Sequence, residues 1–172
     1  KKTMPIGEVG ELMVKGPITM IGYFGDDNRT KETLENDGWL HSGDLAKMDE
    51  DGYYYIVDRK KDMILTAGYN VYPAEIERVL AKHPSVSIAA VGKEEDKLKG
   101  EIAKAYIVLK ENFKTSEDEL INFCREHLAA YKCPRKVIFV DDVPKTSSGK
   151  IMRRQLNSCL LYTSPSPRDH QP

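Results

Sequence analysis

The sequence predicts an α+β fold in which helices pack on a short sheet, preceded by a segment rich in strands and turns. Three observations predict it. From Met63 to Val140, strand-type and helix-type apolar patterns alternate in the order β-α-β-β-α-β. Both helices of that series carry start signals: Pro73 at a first helical position, and a capping box formed by Ser116 and Glu119. The first third instead holds short, partly alternating runs separated by glycine turns, with Glu50-Asp51-Gly52 as a strong hairpin signal.

Taken in order, Ile6 to Lys15 alternates in part and reads as strand with a turn. Gly16-Pro17 and the run Gly22 to Gly25 are the next breaks in the pattern. Asp26 to Asn36 is polar and suits a short helix capped by Asp27 or Asn28. Leu45 to Asp49 and Tyr53 to Asp58 form the two arms of the hairpin, the tyrosines making a strand with one buried face. Met63 to Leu65 is a short apolar strand, and Gly68 marks a turn. The helix from Pro73 to about Lys82 gathers Ile76, Val79 and Leu80 on one face, and Pro84 lies past its end. Val86 to Val91 and Ile102 to Leu109 are buried-type strands. The capped helix buries Leu120, Ile121, Cys124 and Leu128, and Val137 to Val140 is a last short strand. Ser158 to Pro172 has three prolines and no periodicity; it is expected to be disordered and foreign to the preceding domain.

Composition sets limits on function. The 172 residues suffice for one domain, or for a small domain and a piece of another. A net charge of −1 gives no overall field toward nucleic acid or anionic membrane. No apolar run approaches the roughly 20 residues needed to cross a bilayer, and KKTMPIGEVGE lacks the apolar region of a signal peptide. Cys124, Cys133 and Cys159 show no metal-type spacing, and an odd count without a framework points to reduced thiols in the cytoplasm.

Few residues are placed for chemistry. Lys150 comes after small, hydroxyl and glycine residues, Thr146 to Gly149, as in a mobile loop that carries a cation to a phosphate. A Walker A loop is excluded, because Pro144 and Ile151 stand where its first glycine and its hydroxyl residue belong. Asp44 offers a carboxylate that can accept from two vicinal hydroxyls at once, and is otherwise a turn aspartate. Arg59 can donate to ribose oxygens, and is otherwise a surface partner of Asp58 or Asp62. His41, His83 and His127 have no partner in sequence and are read as structural or exposed; Cys133 is not read as a nucleophile.

The stretch Asp58 to Glu77, DRKKDMILTAGYNVYPAEIE, joins a charged cluster, an apolar strand, a glycine turn and a proline-started helix. In that order it resembles the core motif of the acyl-adenylate-forming (AMP-binding) enzymes, most closely the fatty acyl-CoA synthetases. GWLHSGD, ending in Asp44, resembles their GWxxTGD motif with Ser42 for threonine, and PKTSSGKIMRR resembles their carboxy-terminal lysine motif. The likeness runs from about Gly7 to Arg154.

This resemblance implies an enzyme that makes an acyl-adenylate from a carboxylic acid, such as a fatty acid, and ATP. It then transfers the acyl group to coenzyme A with release of AMP. Lys150 would bridge the substrate carboxylate and the α-phosphate, while Asp44 and Arg59 would hold the nucleotide. Lys61 would be the hinge, and Gly68, Tyr69 and Asn70 would line the path of coenzyme A, with Glu75 placed to steady the turn. Coumarate ligases carry a lysine where this chain has Leu65 and a glutamine in place of Asn70, which leaves those two roles open.

Residues 1–58 would then be the β-rich end of the large AMP-binding domain, 59–61 a hinge, and 62–157 a small C-terminal lid domain. Magnesium is implied, with ligands outside this sequence. The missing N-terminal domain would be the partner, and the segment alone is expected to be inert. Two alternatives stand beside this: the adenylation domain of a peptide synthetase, and a small non-enzymatic α+β binding module.

Overall fold

The computed structural model describes residues 2–156, and the tail expected to be disordered lies outside them. The chain divides after Lys61 into two units.

The first unit is an antiparallel sheet with one short helix. Strand β1 is Gly10–Val14, helix α1 is Asp27–Thr33, β2 is Leu40–Met48 and β3 is Tyr54–Arg59, paired in the order β1-β2-β3. Asp26, rather than Asp27 or Asn28, caps α1, its carboxylate accepting from the Arg29 amide at 2.9 Å. The β2–β3 turn obeys the hairpin signal: Gly52 takes φ +84°, and the Asp49 carboxylate accepts from the Asp51 and Tyr53 amides. β2 begins five residues before its apolar run at Leu45, so that His41 to Asp44 lie in a strand and not on a turn. Pairing explains the extension, since Leu40 and His41 face Val14 and Met13 across the β1–β2 ladder. β3 corrects a second expectation, because Tyr53, Tyr54, Tyr55 and Ile56 are all more than half exposed and the tyrosine run has no buried face; the buried residue of that strand is Asp58.

The second unit carries β4 (Ile64–Thr66), β5 (Tyr69–Val71), α2 (Pro73–Leu80), β6 (Val86–Asp96), β7 (Gly100–Leu109), α3 (Glu117–His127) and β8 (Lys136–Phe139). Its sheet runs β5-β4-β7-β6, and β8 joins β7 in parallel. β6 extends to Asp96, beyond the apolar signal at Val91, because its polar end is still paired with β7. Cross-strand ion pairs, Lys93 with Glu101 and Lys104 with Glu94, take the place of apolar contacts there. β5 is too short to leave a period in the sequence; it exists as the return arm of the Gly68 turn.

The sheet is covered on both faces. Ile76, Val79 and Leu80 of α2 and Leu120, Ile121 and Cys124 of α3 pack on Val91, Ala103, Ala105, Ile107 and Val137. On the other face Ala90 and Tyr106 meet Val140, Val143 and Leu156. Each fully buried aliphatic side chain contributes about 1.5–3 kcal/mol, and this double layer underlies the candidate-bearing segments of the second unit. α3 ends at His127, with Leu128 as its cap and only partly buried.

Candidate functional site

The candidate residues fall on both units. In the first, pairing of β2 with β3 sets Asp44 opposite Arg59, and Arg59 Nε lies 2.8 Å from Asp44 Oδ1. The partner of Arg59 is therefore Asp44, not the neighbouring Asp58 or Asp62. Local geometry holds the aspartate in place. Gly43 adopts φ +73°, which favours glycine, and its carbonyl accepts from the Lys60 amide at 2.9 Å. Ser42 Oγ donates to the Leu12 carbonyl at 2.6 Å and accepts from the Asp44 amide at 3.1 Å. A threonine methyl has no part in those two bonds, so serine serves as well. With side chains 57% and 29% exposed, the Arg59–Asp44 pair contributes about 0–1 kcal/mol. A hydroxylated ligand can insert between them at little cost.

Beside this pair stands a cluster that sequence reasoning missed. His41 is bracketed by two carboxylates, its Nδ1 3.0 Å from Glu11 Oε2 and its Nε2 2.9 Å from Glu35 Oε1. Lys60 Nζ reaches the same Glu11 oxygen at 2.7 Å. The hydrogen bond to Glu11 raises the His41 pKa above its ordinary value; partial burial opposes this and Glu35 adds to it. Burial works against the Glu11 charge, yet Lys60 and His41 outweigh it and lower that pKa. Glu11 lies 30 residues from His41, so no local pattern advertises the contact.

In the second unit the β4–β5 turn has both central residues in the left-handed region, Ala67 at φ +48° and Gly68 at φ +85°. Such a two-residue turn matches the twist of its strands. Leu65 and Asn70 are cross-strand partners, both exposed, so the two positions that depart from the coumarate ligases face one another. Tyr69 stacks on Tyr131, with centroids 4.6 Å apart and planes at 27°. The Glu75 carboxylate holds the ammonium of Lys132, next to Tyr131 in sequence, at 2.7 and 2.8 Å.

Lys150 sits on an exposed turn closed by backbone bonds: the Thr146 amide to the Lys150 carbonyl at 2.8 Å, and the Gly149 amide to the Thr146 carbonyl at 2.9 Å. Thr146 Oγ1 accepts from the Lys150 amide at 3.1 Å, and Gly149 takes φ +81°. Among the described residues, the Lys150 ammonium has no carboxylate partner. Lys61 is exposed, at the point where the two units divide. The structure thus joins Asp44 to Arg59 and sets Gly68, Tyr69 and Asn70 on one hairpin, with Lys150 on a separate turn.

Among the described residues, both cysteines are buried. Burial pushes the Cys124 thiol up to about 12 and also raises Cys133, so neither supplies a thiolate near neutral pH. Among the described residues, no group of three or more His, Cys, Asp or Glu side chains is arranged to hold a metal ion.

Comparison with known proteins places this arrangement. A family profile described as the AMP-binding enzyme C-terminal domain matches residues 75–150. A long-chain-fatty-acid–CoA ligase of Salmonella typhimurium is 52% identical over 151 residues, covering 87% of this chain and 26% of that protein. Among solved structures, ATP-bound MatB from Rhodopseudomonas palustris superposes with a TM-score of 0.85 at 37% identity, covering 90% of this chain and 31% of that one. O-succinylbenzoate coenzyme A synthetase (MenE) from Bacillus subtilis, in complex with ATP and magnesium ion, gives 0.80 at 42% identity, over 91% and 32%.

The fold is that of the C-terminal region of an adenylate-forming enzyme. The chain belongs to the acyl-adenylate-forming (AMP-binding) enzymes and spans about a quarter to a third of the length of the relatives it matches.

Proposed function

We propose that this chain supplies the lysine-bearing portion of an AMP-forming acid–thiol ligase. A carboxylate oxygen attacks the α-phosphorus of ATP and pyrophosphate leaves. The thiol of coenzyme A then attacks the acyl carbon, forming the thioester and releasing AMP. The observation that carries this reading is the Lys150 ammonium, which among the described residues has no carboxylate partner and stands on an otherwise anchored turn. Two anionic reactants repel, and an opposed charge at about 4 Å recovers roughly 4 kcal/mol at an effective dielectric near 20.

Asp44 and Arg59 are assigned to the ribose, their weak mutual pairing giving way to the vicinal hydroxyls. Gly68, Tyr69 and Asn70 are assigned to the pantetheine path, where a glycine without Cβ admits close approach; a Cβ built there meets nothing within 4 Å. Lys61 is assigned as the hinge between two working orientations, one presenting Lys150 and the other the Gly68 turn. The 52% identity to a long-chain-fatty-acid–CoA ligase favours a fatty acid as the carboxylate.

The test is ATP–pyrophosphate exchange by the full-length enzyme containing this chain, across carboxylic acids. Lys150→Ala is expected to abolish exchange while thioester formation from supplied acyl-adenylate persists. Equal loss of both steps would contradict the two-orientation reading. The chain alone, as the control, is expected to form no AMP from a fatty acid and ATP.

A further inference from the structure

Three residues beyond Lys150, the side chain of Arg153 turns inward. Its guanidinium embraces Glu77 of α2 in a bidentate pair, Nε to Oε1 at 3.1 Å and Nη2 to Oε2 at 2.7 Å. The remaining nitrogen, Nη1, lies 3.2 Å from Asp62 Oδ2. All three side chains are 20% exposed or less, so the cluster is largely shielded from water. Fork-to-fork arginine pairs of this kind combine charge with fixed direction. Glu77 is itself fastened, since its Oε1 accepts from the Val91 amide of β6 at 2.9 Å.

We infer that Arg153 is a positioning residue for Lys150, fastening the lysine turn to α2 and to the residue that opens the second unit. The inference rests on the function proposed for Lys150. Two carboxylates already neutralise Arg153, so it is not the cation offered to a ligand. Its neighbour Arg154 is exposed, and only the fold tells the two arginines apart. Between Lys150 and Arg153 the backbone is held as well: Ile151 bridges Lys145, and the Met152 amide donates to the Pro144 carbonyl at 2.8 Å. Leu156, 1% exposed, closes the segment against the sheet, where a Cβ on Gly92 would meet it at 3.4 Å. The Lys150 turn is thus tied at its base, leaving only the long side chain to search.

The contact with Asp62 adds a second consequence. Asp62 comes directly after Lys61, the proposed pivot, so rotation there is passed to the lysine turn through one ion pair and not only around the sheet. Misplacing a catalytic group by about 1 Å costs on the order of 10²-fold in rate.

The experiment compares full-length wild-type enzyme with Arg153→Gln, Arg153→Lys, Lys150→Ala and the Arg153→Gln/Lys150→Ala double variant in both half-reactions. Arg153→Gln is expected to lower kcat for adenylation by about 10- to 100-fold, with less than about threefold change in KM for ATP. Thioester formation from supplied acyl-adenylate should stay within about twofold, Arg153→Lys should recover part of the loss, and the double variant should add nothing to Lys150→Ala. Wild-type adenylation by Arg153→Gln, equal loss in both half-reactions, or full additivity with Lys150→Ala would each overturn the inference. If Arg153→Gln fails to fold, Asp62→Asn is the substitute; it should slow adenylation selectively, and wild-type behaviour would overturn the inference equally. A wild-type enzyme silent in exchange with every acid would overturn instead the reading of function beneath it.

Discussion

His41 shows what one side chain can do when the fold supplies its neighbours. Facing Glu11 and Glu35, with Lys60 on the same Glu11 oxygen, it holds its proton more tightly in the folded state than the ordinary histidine value of 6.5. A raised folded pKa gives stability that is fully present below that ordinary value. It is lost as pH rises through the raised one. The ring protons of His41 should therefore titrate above 6.5 in an NMR experiment, and Glu11→Gln should bring the midpoint down; an ordinary midpoint in the wild type would refute this. Since Lys60 adjoins Arg59, the same ladder supports the Asp44–Arg59 pair. The GWLHSGD motif makes Asp44 legible in the sequence, but its pairing with Arg59 is not. That pairing depends on a strand register, and residues 15 apart in sequence carry no local mark of it.

The β4–β5 hairpin carries its own strain. Ala67 holds φ +48°, a region in which a Cβ is unfavourable, while Gly68 beside it holds φ +85° at no such cost. Ala67→Gly is therefore expected to be neutral or stabilising by up to about 1 kcal/mol, in contrast to the usual loss at an alanine-to-glycine change. A thermal unfolding scan that showed clear destabilisation would mean the strain is absent. Helices are easier to read than strands. Pro73 and the Ser116 cap begin α2 and α3, with Ser116 Oγ accepting from the Glu119 amide at 3.2 Å. Local chemistry fixes a helix start, so the sequence displays it. The charged end of β6 and the whole of β5 are strands only because a partner lies alongside.

At the scale of the molecule, the two units differ in how much they bury. Among the described residues, the first unit buries only Leu45, Ala46 and Asp58, while Ile18, Ile21, Phe24 and the β3 tyrosines stand exposed. The second encloses two apolar clusters on either side of its sheet. A peptide spanning 62–156 should accordingly unfold cooperatively on its own, and one spanning 2–61 should not. Calorimetry on the two peptides checks this; a sharp transition in the shorter one would show that its few buried groups suffice. The exposed apolar face of the first unit fits the proposal that it belongs to a larger domain.

The α+β class, the helix starts, the glycine turns and the three motifs are all legible in the bare chain, because each depends on residues close together along it. Folding was needed to bring Arg59 to Asp44, to set His41 between two carboxylates, and to make Arg153 rather than Arg154 the anchor of the lysine turn. Ion pairs form wherever the sheet and helices bring charges within reach, and separation along the chain sets no limit on that distance.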